Sequence, residues 1–234
     1  MKQLVFLFPL FLVLTAACSN TENDFSEWRG PNRQGIYHET ALLKSWPENG
    51  PEMLWSFEGL GAGHSNVGIG HNRVFVNGMP DTLGVLYSFD MDGNLLWEKV
   101  YGTEWHKNYT GSRSTPVVKG NRVYFESGMG VVFCMDAFSG NIIWQVDLLE
   151  TFDAENIQWG MTETLLIDGD NIICTPGGEK HNVVAMNRFT GETVWTSPGY
   201  SEPAAYCSPV LVEHNNNRLI VTMTATSVIG LDAD

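Results

Sequence analysis

The sequence has few positive charges. Lys and Arg account for 13 of its 234 residues, while Asp and Glu account for 27, which gives a formal net charge of −14. Proteins that bind nucleic acid need clustered Lys and Arg to neutralise phosphates, and no such cluster occurs here. The sequence therefore predicts that nucleic acid is not a partner.

Cysteine is also scarce, with four residues in the chain. No C-x-x-C pair is present, and no combination of Cys and His has the spacing of zinc ligands. Cys134, Cys174 and Cys207 each lie within an apolar run of strand character. We expect these three to be small buried residues of strands.

Strongly apolar sequence is confined to the N-terminus, where LVFLFPLFLVL follows Met1-Lys2-Gln3. This run is too short to cross a bilayer as a stable helix and predicts a secretory signal peptide over residues 1–17. The sequence TAAC, ending at Cys18, resembles a bacterial lipobox, although Thr15 stands where Leu is commonest. The resemblance implies lipidation of Cys18, an acidic tether over residues 18–27, and an exported outer-membrane lipoprotein facing the periplasm or the cell surface. An ordinary signal peptide with an incidental cysteine is the alternative.

Helical periodicity is missing, and short strand-like runs replace it. Residues 114–144 contain four such runs, at 115–118, 122–126, 131–135 and 141–144. Gly, Asn, Asp and Ser separate them, and these residues suit tight turns because they accept positive φ or bond to their own backbone. This pattern predicts a four-stranded antiparallel meander.

The meander is repeated along the chain. Tryptophans at positions 55, 97, 144 and 195 are 42, 47 and 51 residues apart, and an Asp or Asn column at 90, 136, 187 and 232 has similar steps. A period of this length with four strands is typical of a β-propeller blade. The sequence thus predicts an all-β fold, a β-propeller of four-stranded antiparallel blades; a β-solenoid and a β-sandwich remain as alternatives.

The repeat also predicts the domain organisation. Residues 28–58 form a leading segment in which 52–57 has the pattern of an outer, closing strand, and residues 59–234 form the propeller. The last repeat stops before its glycine and tryptophan, so we expect a truncated N-terminal half with about three and a half blades. The predicted blades are 59–97, 98–144, 145–195 and a partial 196–234.

The repeat signature, DAFSGNIIW at 136–144 and NRFTGETVW at 187–195, resembles the pyrroloquinoline quinone (PQQ) repeat of quinoprotein β-propellers. WRGPNRQG, YTGSRSTP, QWG, CTPGG and AAYCSPV resemble the exported PQQ-binding-like members of that family. Two kinds of relative frame the function that this resemblance implies. They are PQQ-dependent alcohol dehydrogenases and propeller lipoproteins that serve as scaffolds in outer-membrane protein assembly.

Loop lengths predict which face of the propeller binds. The hairpin turns within blades are minimal on one face, whereas the links on the other face are long and rich in side chains. Ten residues of this long-loop face are candidates: His64, Trp105, His106, Tyr109, Arg113, Trp159, Glu163, Lys180, His181 and Tyr206. Within the resemblance, Arg113 would hold a PQQ carboxylate, Trp159 would stack on its ring beside Tyr109, His64 and Tyr206, and Glu163 would bind Ca²⁺.

Two functions follow as hypotheses. The first is an exported, lipid-anchored scaffold whose long-loop face binds protein partners of the cell envelope or a small polar ligand. The alternative is a PQQ- and Ca²⁺-dependent alcohol or polyol dehydrogenase. The vicinal cysteine pair found beside the quinone in some dehydrogenases is absent, and no residue can be assigned as the catalytic base. The absence of the cysteine pair favours the scaffold, whereas the catalytic base is expected in the part of the protein beyond this sequence.

Overall fold

The chain folds into consecutive antiparallel sheets, which we call blades 1 to 4. The structure is a computed structural model that describes residues 28–234, so the predicted signal peptide, Cys18 and the acidic tether lie outside the described residues. Blade 1 contains β1 (Gly68–Gly70), β2 (Arg73–Gly78), β3 (Leu83–Asp90) and β4 (Leu95–Thr103). Blade 2 contains β5 (Val117–Lys119), β6 (Arg122–Glu126), β7 (Val131–Asp136) and β8 (Ile142–Asp147), followed by the short helix α1 (Leu148–Phe152).

Blade 3 contains β9 (Leu166–Asp168) and β10 (Asn171–Cys174), then β12 (His181–Asn187) and β13 (Thr193–Pro198). A small separate sheet pairs β11 (Gly177–Gly178) with β14 (Glu202–Pro203). Blade 4 contains β15 (Val210–His214), β16 (Asn217–Met223) and β17 (Val228–Asp232). Within each blade the strands pair in chain order, so every blade is a meander. The four runs predicted in residues 115–144 are the four strands of blade 2.

The blades stand side by side with their first strands nearest the common axis. β1 contacts β5, and β9 contacts β15. The core lies between neighbouring blades, where apolar residues of two sheets pack together; Tyr124 and Cys134 of blade 2, for example, share a cluster with Val184 and Met186 of blade 3. This arrangement confirms the all-β propeller fold and excludes the β-sandwich, in which two sheets would enclose a single core.

The Asp/Asn column builds the turn between the third and fourth strands of blades 1 to 3. Asp136 accepts hydrogen bonds at Oδ1 from the backbone N–H groups of Phe138 and Ser139, and Gly140 closes the turn at φ +69° by donating to the Asp136 carbonyl. Asn187 performs the same role in blade 3. The repeat signature is therefore a turn signature, in which the side-chain oxygen bonds the backbone ahead of it.

The repeated tryptophans join one blade to the next. The indole rings of Trp55, Trp97 and Trp144 each lie over the turn glycine of the following blade, so that a Cβ built on that glycine would be 2.5 to 3.0 Å from the ring. Trp144 also donates its indole N–H to the Arg188 carbonyl at 3.1 Å. The contact occurs in three pairs: Trp55 with Gly93, Trp97 with Gly140, and Trp144 with Gly191.

Replacing Gly140 with Ala should weaken the contact between blades 1 and 2. The new Cβ would lie 2.6 Å from Lys99 Cγ and 2.8 Å from the Trp97 ring. Gly169→Ala is the matched control, because Gly169 also has a positive φ, +56°, but nothing lies within 4 Å of its added Cβ. We expect Gly140→Ala to lower the free energy of unfolding, measured by urea denaturation, by about 1–3 kcal/mol more than the control does. Equal decreases for the two variants would contradict this packing.

Two sequence-based expectations differ from the structure. Residues 52–57 do not form a strand, because no described strand lies beside them, but their aromatic rings do pack on blade 1, with Phe57 4.7 Å from Phe89. Cys207 does not belong to a strand. It precedes β15 and is partly exposed, unlike the buried Cys134 and Cys174.

α1 was not predicted, because a single turn of helix leaves too short an apolar pattern. It begins after Asp147, whose side chain caps it by accepting hydrogen bonds from Leu149 and Glu150. Within residues 28–234, no helix has the length and apolar character needed to cross a lipid bilayer.

Candidate functional site

Each blade contributes one side chain from an equivalent position in the link that leads into its first strand. That position lies two residues before a residue that forms a hydrogen bond to a neighbouring blade. His64, Arg113 and Thr162 are each 49 residues apart, and Tyr206 follows 44 residues later. These four side chains come from the links that lead into β1, β5, β9 and β15. They line one cavity, because the first strands of the blades converge on the axis.

Hydrogen bonds between blades fix the positions of these links. The Asn66 N–H donates to Thr115 Oγ1 at 3.1 Å, the Thr115 N–H to Thr164 Oγ1 at 3.4 Å, and the Thr164 N–H to Ser208 Oγ at 2.9 Å. An equivalent hydrogen bond therefore joins blade 1 to blade 2, blade 2 to blade 3 and blade 3 to blade 4. This series holds the four cavity-lining side chains on a rigid support.

The cavity has an outer and an inner part, and we call the two together the axial cavity. The outer part has a volume of about 430 Å³ and opens on the long-loop face, and the inner part has about 360 Å³. His64, Arg113, Thr162 and Tyr206 line both parts. The structure brings together all five residues predicted to bind a cofactor: Arg113, Trp159, Tyr109, His64 and Tyr206.

Three aromatic rings form one wall of the outer part. Trp159 lies 5.4 Å from Tyr206 at an angle of 31° and meets Tyr109 edge-on at 6.5 Å. The Trp159 N–H donates to the Tyr206 hydroxyl at 3.0 Å. All three side chains are nevertheless substantially exposed. This wall presents flat apolar surface to whatever enters the cavity.

Arg113 provides the charge of the outer part. Its Nη2 donates to the Asn108 carbonyl at 3.2 Å and to the Tyr109 carbonyl, which ties the guanidinium to the loop that carries Tyr109. Its Nε is buried and has no partner among the described residues. The guanidinium is thus held in place with hydrogen-bonding capacity left over.

A second arginine enters from the leading segment and was missed by the sequence analysis. Arg33 is buried, and its guanidinium donates to the carbonyls of Thr164, Leu165 and Pro209 on the inner sides of blades 3 and 4. Arg29 lines the same inner part.

The loop that carries Arg29 and Arg33 has an unusual backbone. Arg29, Gly30, Asn32, Arg33 and Gly35 all have positive φ, which is costly for the two arginines and occurs where tertiary contacts hold the chain. The glycine-rich pattern of WRGPNRQG was the available signal, because glycine and asparagine mark tight turns.

Three glutamates lie buried near the floor of the axial cavity: Glu104, Glu126 and Glu163. Glu163 Oε2 accepts the Thr175 N–H at 2.8 Å, while its Oε1 and both oxygens of Glu126 have no partner among the described residues. Burial raises the pKa of Glu163 to about 8, against the opposing effects of Thr175 and Arg33. Burial, and then repulsion by Glu163 and Glu104, raises the pKa of Glu126 well above its ordinary value.

The predicted calcium ligand Glu163 does not line the axial cavity. Ca²⁺ takes six to eight oxygen ligands, whereas Glu163 is enclosed and bonded to one backbone N–H. Within residues 28–234, no group of three His, Cys, Asp or Glu side chains could hold a metal ion. The calcium site stays a prediction, and the surroundings of Glu163 do not favour it.

The other candidates of the long-loop face lie apart from the axial cavity. Trp105 is fully buried between neighbouring loops, and His106 Nδ1 lies 3.0 Å from the Glu104 carbonyl oxygen. Lys180 forms an exposed ion pair with Asp153 at 2.8 Å, and the ring of His181 meets Phe152 edge-on. These four residues have structural contacts that account for their positions.

Comparisons with a family model and with individual proteins indicate the same family. Residues 82–234 match the family described as outer membrane protein assembly factor BamB. A protein of that name from Kangiella koreensis is 30% identical over 127 residues, which cover 51% of this chain and 29% of the relative. Another, from Moranella endobia, is 27% identical over 195 residues, covering 74% and 46% respectively. The chain thus spans less than half the length of these relatives.

Solved structures share the fold. The crystal structure of BamB from Moraxella catarrhalis superposes with a TM-score of 0.51 at 19% identity, covering 74% of this chain and 49% of that one. Quinohemoprotein alcohol dehydrogenase from Comamonas testosteroni superposes with a TM-score of 0.56 at 14% identity, covering 73% and 33%. At these identities the likeness shows the β-propeller fold alone.

Proposed function

Because the chain belongs to the family of outer membrane protein assembly factor BamB, we propose that it is a binding scaffold of the cell envelope. Its relatives carry that name, and this chain has the same blade repeat. In this proposal the long-loop face binds protein partners, and the opposite face, with its minimal hairpin turns, does not. The partners are outer-membrane assembly proteins.

The observation that carries this proposal is the composition of the axial cavity at the long-loop face. Tyr109, Trp159 and Tyr206 are exposed beside Arg113 on a scaffold fixed by hydrogen bonds between blades. Trp, Tyr and Arg are the residues that most often dominate the energy of protein interfaces. An exposed aromatic group of this kind, centred on a concave surface, supports protein binding.

The location proposed for the protein rests on its first 27 residues. A signal peptide over 1–17 would direct export, lipidation of Cys18 would anchor the chain in the outer membrane, and the acidic stretch 18–27 would serve as a tether. The family assignment supports this location, because its members are named for outer-membrane protein assembly.

Affinity capture from envelope extracts tests the scaffold. Trp159→Ala should lower the recovery of identified outer-membrane assembly proteins by at least about tenfold, because buried interface tryptophans are common hot spots. Met91→Ala is the control, since Met91 is as exposed, at 49% against 41% for Trp159, but lies in a hairpin turn of the opposite face. Equal recovery by both variants, or capture of unrelated proteins only, would contradict the proposal.

The alternative is a PQQ- and Ca²⁺-dependent dehydrogenase. Arg113 and the aromatic wall fit a flat ring that carries carboxylates, and when bound, PQQ would accept the electrons of an alcohol. The calcium part of the alternative lacks a matching set of described ligands. Addition of PQQ and Ca²⁺ to the protein distinguishes the two functions, because a bound quinone would give its own absorption band and dye reduction with alcohols, whereas the scaffold gives neither.

A further inference from the structure

The axial cavity has a charge opposite to that of the whole chain. Its lining includes Arg29, Arg33, Arg113 and His64, and none of the described residues that line it is Asp or Glu. The chain as a whole contains 27 acidic and 13 basic residues. A cavity in which arginines gather while carboxylates are excluded produces a local positive field on an acidic protein.

The nearest carboxylates are buried, and burial disfavours their charged forms. Glu104, Glu126 and Glu163 lie buried near the floor, and burial raises the pKa of each above its ordinary value. The pKa of Glu163 rises to about 8, so this group keeps its proton at neutral pH. Arg33 bonds to backbone carbonyls, which carry no net charge. The cavity therefore retains a net positive charge.

Two of the arginines remain available to an incoming anion. The ion pairs found within residues 28–234 involve Lys180, Arg188 and Arg218, and neither Arg29 nor Arg113 takes part in one. Arg113 bonds to its own loop through Nη2, while Nη1 makes no hydrogen bond to a described residue. Nη1 therefore keeps its N–H donors for an incoming carboxylate, and a charge-assisted hydrogen bond to a carboxylate is stronger than one between neutral groups.

We propose that the axial cavity is an anchor site for a carboxylate, namely an Asp or Glu side chain of the partner that docks on the long-loop face. This inference rests on the scaffold function and names the chemistry that the partner must supply. The carboxylate would meet Arg113 and Arg29, while its aliphatic stem and neighbouring side chains would lie on Trp159 and Tyr206. The apolar wall favours a carboxylate on an organic stem over a free phosphate, because the stem can lie on the aromatic rings.

Two capped peptides test the site directly with the intact protein. They are acetyl-Gly-Phe-Glu-Phe-Gly-amide and its glutamine counterpart, which has the same shape without the charge. Titration by calorimetry should show about tenfold tighter binding of the glutamate peptide, as expected for one charged hydrogen-bonded pair. Arg113→Gln should reduce this preference to less than about twofold, and the preference should weaken in high salt.

Lys119→Gln is the matched control, because it removes one positive charge from the end of β5, beside the hairpin turn on the opposite face, and should keep the full preference. Circular dichroism and thermal unfolding establish that each variant is folded. If Arg113→Gln does not fold, Arg29→Gln gives the same readout without touching the bonds to the Asn108 loop. Equal binding of the two peptides, or an unchanged preference in a folded Arg113 or Arg29 variant, would overturn the proposal.

Inorganic phosphate provides a further arm. If phosphate at matched ionic strength displaces the glutamate peptide at equal concentration, the cavity is a site for free small anions and the proposal fails. The outcomes also separate this proposal from the scaffold function. Capture of assembly proteins that Trp159→Ala abolishes but Arg113→Gln leaves unchanged retains the scaffold and rejects the anchor. A glutamate preference without any capture retains the anchor site and rejects the scaffold.

Discussion

Replacing Glu163 with Gln should flatten the pH dependence of stability. The pKa of Glu163 is about 8 in the folded protein because of burial, and its ordinary value is 4.5. Below pH 4.5 the carboxyl is protonated in both the folded and the unfolded chain, so its contribution to folding is fully present. Between pH 4.5 and 8 the unfolded chain releases the proton while the folded chain keeps it, and the free energy of unfolding falls. Above pH 8 both states are ionised and the loss is complete.

The loss from this group is on the order of a few kcal/mol between pH 5 and pH 9. Gln cannot ionise, and its amide oxygen can still accept the Thr175 N–H. We therefore expect the stability of Glu163→Gln relative to wild type to rise steadily with pH across this range, whatever its value at pH 5. Urea denaturation at five pH values measures it. Glu179→Gln, at an exposed residue, is the control, and parallel pH profiles for wild type and Glu163→Gln would contradict the expected linkage.

Trp105→Ala should destabilise the fold by about 3–5 kcal/mol, the range found for large aromatic residues removed from protein cores. Trp105 is 1% exposed, and its indole N–H donates to the Asn108 carbonyl at 2.8 Å. It lies in a slot bounded by Gly128 and Gly160, where an added Cβ would be 2.6 or 2.7 Å from Trp105 atoms. The slot positions the loop that holds Tyr109 and Arg113.

Trp46→Ala is the control for this measurement, because Trp46 is 70% exposed and its removal should change stability by less than about 0.5 kcal/mol. Thermal unfolding and urea denaturation give the two values. Trp105→Phe, which keeps most of the ring, provides an intermediate loss if the alanine variant does not fold. Similar stabilities of the Trp105 and Trp46 alanine variants would show that the slot contributes little.

The fold could be predicted from the sequence because the residues that define each repeat lie close together in the chain. Asp136, Gly140 and Trp144 lie within nine residues, and each recurs for a physical reason. The aspartate accepts hydrogen bonds from the turn backbone, the glycine adopts a positive φ, and the tryptophan ring packs flat on the next turn glycine. Strand runs and turn positions follow from the same short pattern. Five residues of the outer part of the axial cavity, Arg113, Trp159, Tyr109, His64 and Tyr206, were also predictable, because they follow from loop length.

The missed features depend on contacts between distant parts of the chain. Arg33 bonds to carbonyls more than 130 residues away, and no local pattern specifies that destination. Likewise, Glu126 is fully buried, whereas its place in the sequence resembles an ordinary strand end. Cys207 has apolar neighbours in sequence, but it precedes a strand and borders the axial cavity. The strand propensity of a segment does not specify which distant residues pack around it.

The placement of Trp55, Trp97 and Trp144 over the glycine of the following blade bears on how such a chain can change in length. Blades 1 and 2 each carry a glycine that packs under the preceding tryptophan and a tryptophan that packs over the next glycine. A tandem duplication of about one repeat therefore inserts a module whose two joints already match its new neighbours. Whole repeats can therefore be added or deleted without the need for a new contact between blades. Gain or loss of half a repeat would separate a tryptophan ring from the glycine on which it packs.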